Sequence, residues 1–371
     1  MTDNLVFEDE SQEFSGKRQE SLELVEELDA PESIRTPGRT WTRYPDFEDI
    51  ETREVKPEIK TEGEAEVYTG QEAVEEAGEK LFDAVKREEN RLTALHAAKL
   101  NSLVYVEADG DAKIEISYDE EKPVFSHLVV ETGESAEVAV TETFRGNPEL
   151  LTSIGEFYVG KNSSLTYGGI QSIDGGFNYS ARKAIVRRDG EMNWLNSVFG
   201  SEKARNRLET VLKGDNSSTG KIGAWYGTGE QHHDLSFKVR HIGENTTCDM
   251  KSRAVIDDSA RSVYEGLQSV EESAPDTSSF QRENALILSD RAEVDASPKL
   301  MIENNDVEAS HAATAGQLPD EELHYMKSRG LTEEDARRLI VKGFFEPIMG
   351  EIKLPELKER VREEVLAKLE G

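Results

Sequence analysis

The hydropathy of the chain changes period near residue 101, and this change limits the available folds more than any other feature. Residues 71–100 carry apolar side chains three and four positions apart, the spacing of one helical face. From residue 101 to about residue 311, apolar and polar residues alternate in runs of four to eight, separated by Gly, Asp, Asn and Ser. About 210 residues of unbroken short strands exceed one ordinary β-sandwich.

Two sandwiches, a propeller and a β-solenoid can each accommodate that many strands. A propeller is expected to repeat a Gly- or Trp-containing signature every 40–50 residues or so, and we find none in the sequence. Irregular short strands joined at small residues suit a β-helix, whose turns tolerate loops of variable length. The pattern therefore favours a mainly β protein with a β-helix (β-solenoid) core over residues 101–316.

Helical patterns flank this region on both sides. Residues 1–100 form a polar, helical region, with Leu22, Val25 and Leu28 predicted on one face of a first helix and a single long helix predicted over 71–100. Between them, an extended segment over 36–57 is expected to be anchored by its aromatic rings. Residues 317–371 form a helical domain with three helices, over 319–330, from a capping box at Thr332, and over 354–369. The stretch 204–212 fits either period, and we assign it to a strand.

The charge balance argues against several classes of partner. Lys and Arg total 44 against 76 Asp and Glu, a formal net charge of −32. Such a field repels phosphate backbones and anionic lipid, so we expect neither nucleic-acid nor membrane binding. The excess acid is spread from Glu8 to Glu370, a distribution typical of halophilic, haloarchaeal-type proteins that stay hydrated in high salt. The acidic start and the absence of a long apolar run predict a cytoplasmic protein.

No motif forms a self-contained active site, so the sequence predicts a protein that is not an enzyme. Residues 214–221 have the wrong spacing for a phosphate loop and are interpreted as a hairpin turn. His232 and His233 are adjacent on a strand, so they face opposite ways and cannot both ligate one metal from a regular strand. His233 and His241 could converge only if neighbouring strands placed them together, and we expect a structural or surface role for these histidines. Cys248, the only cysteine, rules out an intramolecular disulfide and is expected to pack in the interior.

His311 differs from the other histidines in its position. It closes the last strand, where the β region gives way to helices, and the residues around it are small. A histidine in that setting can be reached by a partner subunit. The alternative is a hydrogen-bonded histidine at a domain junction.

Several ordered motifs resemble one known family. The last strand carries SHAATAG over 310–316, followed by LHYMKSRGL over 323–331 and GFF over 343–345. Upstream, QHHD over 231–234, DSARSVYEG over 258–266 and LILS over 286–289 occur in the same order. Together they resemble the SufB/SufD (SufBD) family of iron–sulfur cluster assembly proteins, across roughly residues 100–350.

The resemblance implies a right-handed parallel β-helix and a carboxyl-terminal helical domain that docks SufC, an ABC-type ATPase. Nascent clusters in this family are thought to form where a SufB subunit meets a SufD subunit. The chain is then expected to be a noncatalytic scaffold of the SufBCD complex, with no tightly bound cofactor and only a transient iron–sulfur cluster at that interface. Movement driven by the ATPase would pass through it as a switch between two packed states.

Within the family the chain looks most like SufD. His311 falls on the histidine that SufD-type proteins place at the interface, so the resemblance implies a role there and transient iron ligation. Ala309 stands where a cysteine is often found, which weakens any claim to iron ligation through sulfur. Residues matching the ATPase-docking region are Arg329, Gly330, Phe344 and Phe345.

Three alternatives stay open. A SufB-like role in the same complex is opposed by the position of Cys248, away from the last strand. A carbohydrate-active β-helix enzyme would need an ordered cluster of acids and aromatic residues, which the β region does not offer. The sequence also leaves open whether the chain forms a homodimer when the SufB-like partner is absent.

Overall fold

A computed structural model describes residues 6–8, 10–31 and 50–370, and two nine-stranded sheets dominate it. The helices are Gln12–Glu27 (α1), Gly70–Ala77 (α2), Arg91–Lys99 (α3), Asp320–Ser328 (α4), Glu333–Met349 (α5) and Pro355–Glu370 (α6), with short 3-10 turns at Gly78–Lys80 and Arg87–Glu89. The strands are Glu58–Gly63 (β1), Glu66–Thr69 (β2), Ser102–Ala108 (β3), Ala112–Asp119 (β4), Val124–Thr132 (β5), Glu137–Arg145 (β6), Leu150–Val159 (β7), Ser164–Gln171 (β8), Phe177–Val186 (β9), Glu191–Val198 (β10), Lys203–Leu212 (β11), Ser218–Gly227 (β12), His232–His241 (β13), Thr247–Ile256 (β14), Arg261–Val270 (β15), Thr277–Ile287 (β16), Glu293–Ile302 (β17) and Val307–Gln317 (β18).

Successive strands from β3 to β18 alternate between the two sheets. Each pairs in parallel with the strand two places further along, so the even strands build one sheet and the odd strands the other. Two strands make one turn, and the sixteen strands wind into about eight turns of a parallel β-solenoid. The predicted mainly β fold with a β-helix core and helical ends is confirmed, as is the strand at 204–212.

The interior of the solenoid is filled by large rings and buried polar pairs. Phe157, Tyr167 and Trp194 meet edge to face, with ring centroids 4.9 to 5.6 Å apart. Arg182 donates to the Glu142 carboxylate at 3.1 Å within the same core. The pleat of each strand points alternate side chains into this core.

One corner of the solenoid is a column of residues in the left-handed conformation, which we call the corner ladder. Its members are spaced 27 to 31 residues apart and have φ between +53° and +65°: Ser135, Asn162, Asp189, Asn216, Asn245 and Asp276. Side chains connect neighbouring turns, since Asn216 donates to Asp189 Oδ1 at 2.8 Å and Asn245 donates to Asn216 Oδ1 at 2.9 Å. Asn and Asp tolerate this backbone conformation better than most residues.

The first turn of the solenoid is closed by two strands that the sequence did not predict. β1 pairs antiparallel with β4, and β2 pairs antiparallel with β3. Both are short, polar and largely exposed, so they carry little of the alternation that marks a strand. The parallel ladder therefore ends at this side with its edges covered.

The single helix predicted over 71–100 is wrong. The helix α2 ends at Gly78, whose φ is +52°, and α3 starts anew at Asn90, whose side chain accepts from the N–H groups of Leu92 and Thr93. The Glu156 carboxylate accepts the backbone N–H groups of residues 82, 84 and 85 in between. The Glu156 carboxylate thus accepts N–H groups that, in a continuous helix, would donate to carbonyl groups of the helix itself.

The first helix is longer than predicted, and its predicted face is confirmed in part, since Val25 is buried and Leu28 packs beside it against the same apolar cluster. Phe14, Arg18, Ser21 and Val25 are its buried residues, whereas Leu22 is 37% exposed. The extended segment predicted over 36–57 lies outside the described residues up to position 49, and residues 50–57 contain no strand or helix.

Three carboxyl-terminal helices follow the last strand, as predicted. Thr332 caps α5 by accepting the Asp335 N–H at 3.0 Å. Apolar residues of α5 and α6 pack on Ile170, Leu195 and Tyr226, on the outer face of the sheet of even strands. At Gly168, a Cβ atom would lie 2.2 Å from Leu357 Cδ1, so the glycine lets α6 approach the sheet. Of the helices in the described part of the chain, none combines the length and apolarity needed to cross a bilayer.

Candidate partner interface at the open end of the solenoid

The last turn of the solenoid, formed by β17 and β18, has no further strand stacked on it. β17 is the outer strand of one sheet and β18 the outer strand of the other, so each has one edge without a neighbouring strand in the described ranges 6–8, 10–31 and 50–370. A free edge presents a row of backbone donors and acceptors to another chain. The first turn, by contrast, is covered by β1 and β2.

The strand register shows which way His311 points. In the pairing of β16 with β18, His311 lies opposite Gln281, Ala309 opposite Ser279, and Ala313 opposite Glu283. Ser279, Gln281 and Glu283 are buried inside the solenoid, and in-register residues of parallel strands project to the same face. His311 therefore belongs to the inward-facing row and is exposed because no turn follows.

The residues around His311 form an apolar surface. Ala309, Ala313 and Ala315 share its row on β18. On β17, Leu300 and Ile302 lie in register with the buried residues Gln268 and Val270. Met301 is 57% exposed and Ile302 is 43% exposed, which is unusual for large apolar side chains on a sheet. We call this surface, formed by the inward-facing and terminal residues of β17 and β18, the open end.

Unpaired polar groups lie directly below the open end. Gln268, Gln281 and Glu283 are buried, and their side-chain polar atoms make no hydrogen bonds. Burial raises the pKa of Glu283 to about 8, because the carboxylate has lost its water. Sequence reasoning missed these residues, since a single Glu among 76 acidic residues carries no signal of its own.

The other sequence candidates are structural. His241 is buried, with its ring nitrogens 2.8 Å from Thr246 Oγ1 and 3.1 Å from Ser279 Oγ, which confirms its predicted structural role. Cys248 is buried in β14, and burial raises its thiol pKa to about 12, so packing is its role, as expected. Residues 214–217 form a turn between β11 and β12, but the predicted hairpin over 214–221 is wrong: β11 and β12 belong to different sheets, and residues 218–221 begin β12.

No complete metal centre is formed by the described residues from His, Cys, Asp and Glu alone. Among them there is no group of three or more of these side chains placed to hold a metal ion. His311 lies on the open end without two such companions. The predicted iron role of His311 therefore depends on further ligands, and it stays a prediction.

The predicted ATPase-docking residues fall in two places. Arg329 and Gly330 follow α4, where the Arg329 guanidinium lies 5.2 Å from the ring centre of the exposed Tyr325 and Gly330 has φ +93°. Phe344 and Phe345 are neighbours on α5, with ring centroids 5.9 Å apart. Phe345 faces the helical core, whereas Phe344 is half-buried beneath Arg253, 4.8 Å from its ring centre.

Two exposed apolar residues of the helical region were not predicted as docking residues. Tyr325 on α4 is 58% exposed and Leu339 on α5 is 48% exposed. Tyr325 lies on α4 just before Arg329, and Leu339 lies on α5 together with Phe344 and Phe345, so both extend the surface near the predicted docking residues.

Comparison with known proteins supports the resemblance found in the sequence. The family model described as "SUF system FeS cluster assembly, SufBD core domain" matches residues 115–344. The chain is similar to the iron–sulfur cluster assembly protein SufD of Bacillus subtilis, at 29% identity over 76% of this chain and 68% of the relative. It is also similar to SufBD family proteins of Mycobacterium leprae, at 27% identity, and Mycobacterium tuberculosis, at 28% identity.

These matches extend over much of both partners in each pair. The mycobacterial alignments cover 64% and 66% of this chain, and 63% and 64% of the relatives. The family model alone spans more than half of the chain, from within β4 through β18 and α4 to Phe344 in α5. The chain therefore belongs to the SufBD family of iron–sulfur cluster assembly proteins.

Proposed function

We propose that this chain is a SufD-like, noncatalytic scaffold of an iron–sulfur cluster assembly complex. It pairs with a SufB-like subunit through the open end and docks a SufC-like ABC ATPase through its carboxyl-terminal helices. The observation that carries the proposal is the contrast between the two ends of the solenoid. One end is covered by antiparallel strands, and the other exposes free strand edges, apolar residues and His311.

Stacking of a second solenoid on the open end is supported by its chemistry. Free backbone groups of β17 and β18 can continue both sheets into the partner. The partner would also bury Met301 and Ile302 and bring its own ligands next to His311. Cargo iron would then be held between the two subunits, with no cofactor bound tightly by this chain.

The helical domain packs directly on the solenoid, which supports a route by which movement of a docked ATPase reaches the sheet. Residues of α5 and α6 share one apolar cluster with Ile170, Leu195 and Tyr226 of the even-strand sheet. A shift of these helices, driven by ATP-dependent closure of the docked ATPase, would be transmitted to the sheet that ends in β18. Rigid elements of this kind carry movement between discrete packed states.

The SufD-like role is better supported than the SufB-like one. The only cysteine lies buried in β14, and Ala309 occupies the position beside His311 where a thiol would be useful. The family match also favours cluster assembly over a carbohydrate-active enzyme. The even distribution of acidic residues supports a salt-adapted cytoplasm as the compartment.

Affinity purification of the tagged chain from its own cells, in buffer of matching salt, tests this function. We expect an ABC-type ATPase and a second β-solenoid subunit of the same family to be recovered in stoichiometric amounts. Recovery of a stable chain with neither protein would contradict the proposal.

A further inference from the structure

The outer face of the even-strand sheet carries two neighbouring arginines close to its free edge. Arg253 on β14 and Arg282 on β16 project to this face, because each alternates with buried, inward-facing neighbours. We call them the arginine pair. Arg282 is exposed, and within the described ranges of the chain neither guanidinium pairs with a carboxylate. The chain has 76 acidic against 44 basic residues, yet it leaves these two adjacent cations unbalanced.

The acids beside the arginine pair are bound to a third cation. Lys251 lies opposite Arg282 in the register of β14 with β16. It pairs with Asp249 Oδ2 at 2.8 Å and with Glu351 Oε2 at 2.7 Å. Like charges on neighbouring strands repel, and burial together with the charge of Arg282 lowers the pKa of Arg253. The chain therefore holds two guanidinium groups near each other at an energetic cost and supplies no anion for them.

The register aligns further hydrogen-bond donors with the arginine pair. Asn284 lies opposite Arg253 on β16, and Thr314 lies opposite Asn284 on β18. Adjacent strands are about 4.8 Å apart, so these three residues form one outward-facing row across the sheet, which we call the donor row. Ala312, opposite Arg282, leaves the neighbouring row open. Guanidinium, amide and hydroxyl groups can all donate to an anionic oxygen, as binding of a carboxylate or phosphate requires.

Helix α5 holds one member of the arginine pair in place. The Arg253 guanidinium donates through Nη1 to the Phe344 carbonyl, and it lies 4.8 Å from the centre of the Phe344 ring. A side chain that is already fixed loses less conformational entropy when it binds a ligand. Its other guanidinium nitrogens make no hydrogen bond within the described chain, so they can donate to an anion beside Phe344.

We propose that the arginine pair and the donor row form an oxyanion site that binds an aspartate or glutamate side chain of the docked ATPase. The choice of the ATPase rests on the proposed function, because Phe344 is a predicted docking residue and contacts Arg253 directly. Arginine suits this contact, since its planar guanidinium can donate two parallel hydrogen bonds to one carboxylate. The site extends the docking region from the helices onto the sheet.

A free anion such as inorganic phosphate is the main alternative occupant. Arg282 is exposed, so an anion bound there from solution would stay largely hydrated and screened by salt. A carboxylate on a docked protein is shielded from water by the protein that carries it. Because charges attract more strongly where water is excluded, the docked carboxylate gains more from the same donors.

Calorimetry of the full-length chain with the SufC-like ATPase of the same organism, purified separately, tests the site in buffer of matching salt. We expect Arg282→Glu to bind the ATPase at least roughly tenfold more weakly than the wild type. Arg282→Lys should fall between them, because an ammonium group does not reproduce the bidentate contact. Arg53→Glu is the matched control, since Arg53 is exposed ahead of β1 at the covered end. It should bind as the wild type does.

Several results would overturn the proposal. One is wild-type affinity for the ATPase in Arg282→Glu, whose fold we expect to be intact because Arg282 is exposed. A second is unchanged ATPase binding with weaker capture of the SufB-like partner, which would assign the arginine pair to the other interface. A third is binding of inorganic phosphate by the wild-type chain alone, lost in Arg282→Glu while ATPase affinity is unchanged, which would assign the site to a free anion.

The same titrations separate this inference from the proposed function. If the wild type binds the ATPase and both Arg282 variants bind it equally well, the inference fails and ATPase docking stands. If the wild type binds no ATPase, the docking part of the proposed function fails, and the assignment of the site to the ATPase fails with it.

Discussion

His241 illustrates how single buried residues set the conditions under which the solenoid is stable. Its ring is enclosed between Thr246 and Ser279, and burial lowers its pKa from 6.5 to about 4. The folded chain therefore keeps His241 neutral at a pH where the unfolded chain is already protonated. Its stabilising contribution is fully present above pH 6.5 and is lost as the pH falls toward 4.

We predict that His241 alone accounts for about 3 kcal/mol of the loss in unfolding free energy between pH 6.5 and 4. Urea unfolding at a series of pH values measures this. His241→Gln should show a shallower dependence on pH than the wild type, whatever its stability at neutral pH. His324→Gln, at an exposed position on α4, is the control and should keep the wild-type slope. Equal slopes in all three proteins would contradict the assignment.

At the residue scale, the sequence identified His311 but not its surroundings. Its place on the last strand and the motif around it were visible in the sequence, but the prediction that it closes the strand is wrong, because β18 continues for six residues beyond it to Gln317. That it belongs to the inward-facing row, above Gln281 and Glu283, follows only from the register of β16 with β18. The pairing of individual residues in β16 and β18 depends on how two segments about 30 residues apart stack, which the sequence analysis did not assign.

The corner ladder is the element that joins successive turns. Asn216 sits in its middle, with φ +58°, donating to Asp189 and accepting from Asn245. An L-residue without a short polar side chain is strained in this conformation by roughly 1–2 kcal/mol, whereas glycine is not.

We predict that Asn216→Ala lowers the unfolding free energy by about 2 kcal/mol or more, from backbone strain and two lost hydrogen bonds. Asn216→Gly loses the same hydrogen bonds, but glycine adopts the left-handed backbone conformation without strain. It should therefore lower the unfolding free energy by clearly less than Asn216→Ala does. Chemical unfolding of both variants measures the difference. If the glycine variant is as unstable as the alanine variant, the left-handed backbone conformation of residue 216 does not contribute to the difference in stability.

At the element scale, the ladder is also a repeat that the sequence analysis did not recognise. Its members recur every 27 to 31 residues, the length of one turn, but they are single Asn, Asp or Ser residues within variable segments. The break in the predicted helix over 71–100 was equally hidden, because it depends on Glu156 from a distant strand. Strands were easier to predict, since alternation is local.

At the scale of the whole molecule, the two ends of the solenoid differ in how their strand edges are covered. β1 and β2 cover the first turn, and β17 and β18 leave the last turn with free edges. The sequence predicted a β-solenoid between helical regions, and the structure confirms it. Which end is open was not predictable, because β1 and β2 are too short and polar to be recognised as strands.

Backbone direction at the free edge of β18 allows a substitution that blocks pairing without disturbing the fold. Leu318 donates its N–H to the Ile287 carbonyl of β16, and amides of successive strand residues point to opposite sides. The Ala315 N–H therefore points to the free edge. Proline at such a position removes only the outward donor and hinders the approach of another strand.

We propose to measure how much SufB-like partner is captured by Ala315→Pro and by Ala315→Ser. The comparison tests most directly whether the partner pairs with the chain through the open end. Both variants should keep the wild-type melting temperature, because the bonds to β16 are retained. We predict that Ala315→Ser captures the partner as the wild type does. Ala315→Pro should capture at most about a tenth as much, which corresponds to a loss of roughly 1.4 kcal/mol in binding free energy. Normal capture by a folded Ala315→Pro variant would contradict pairing through the open end.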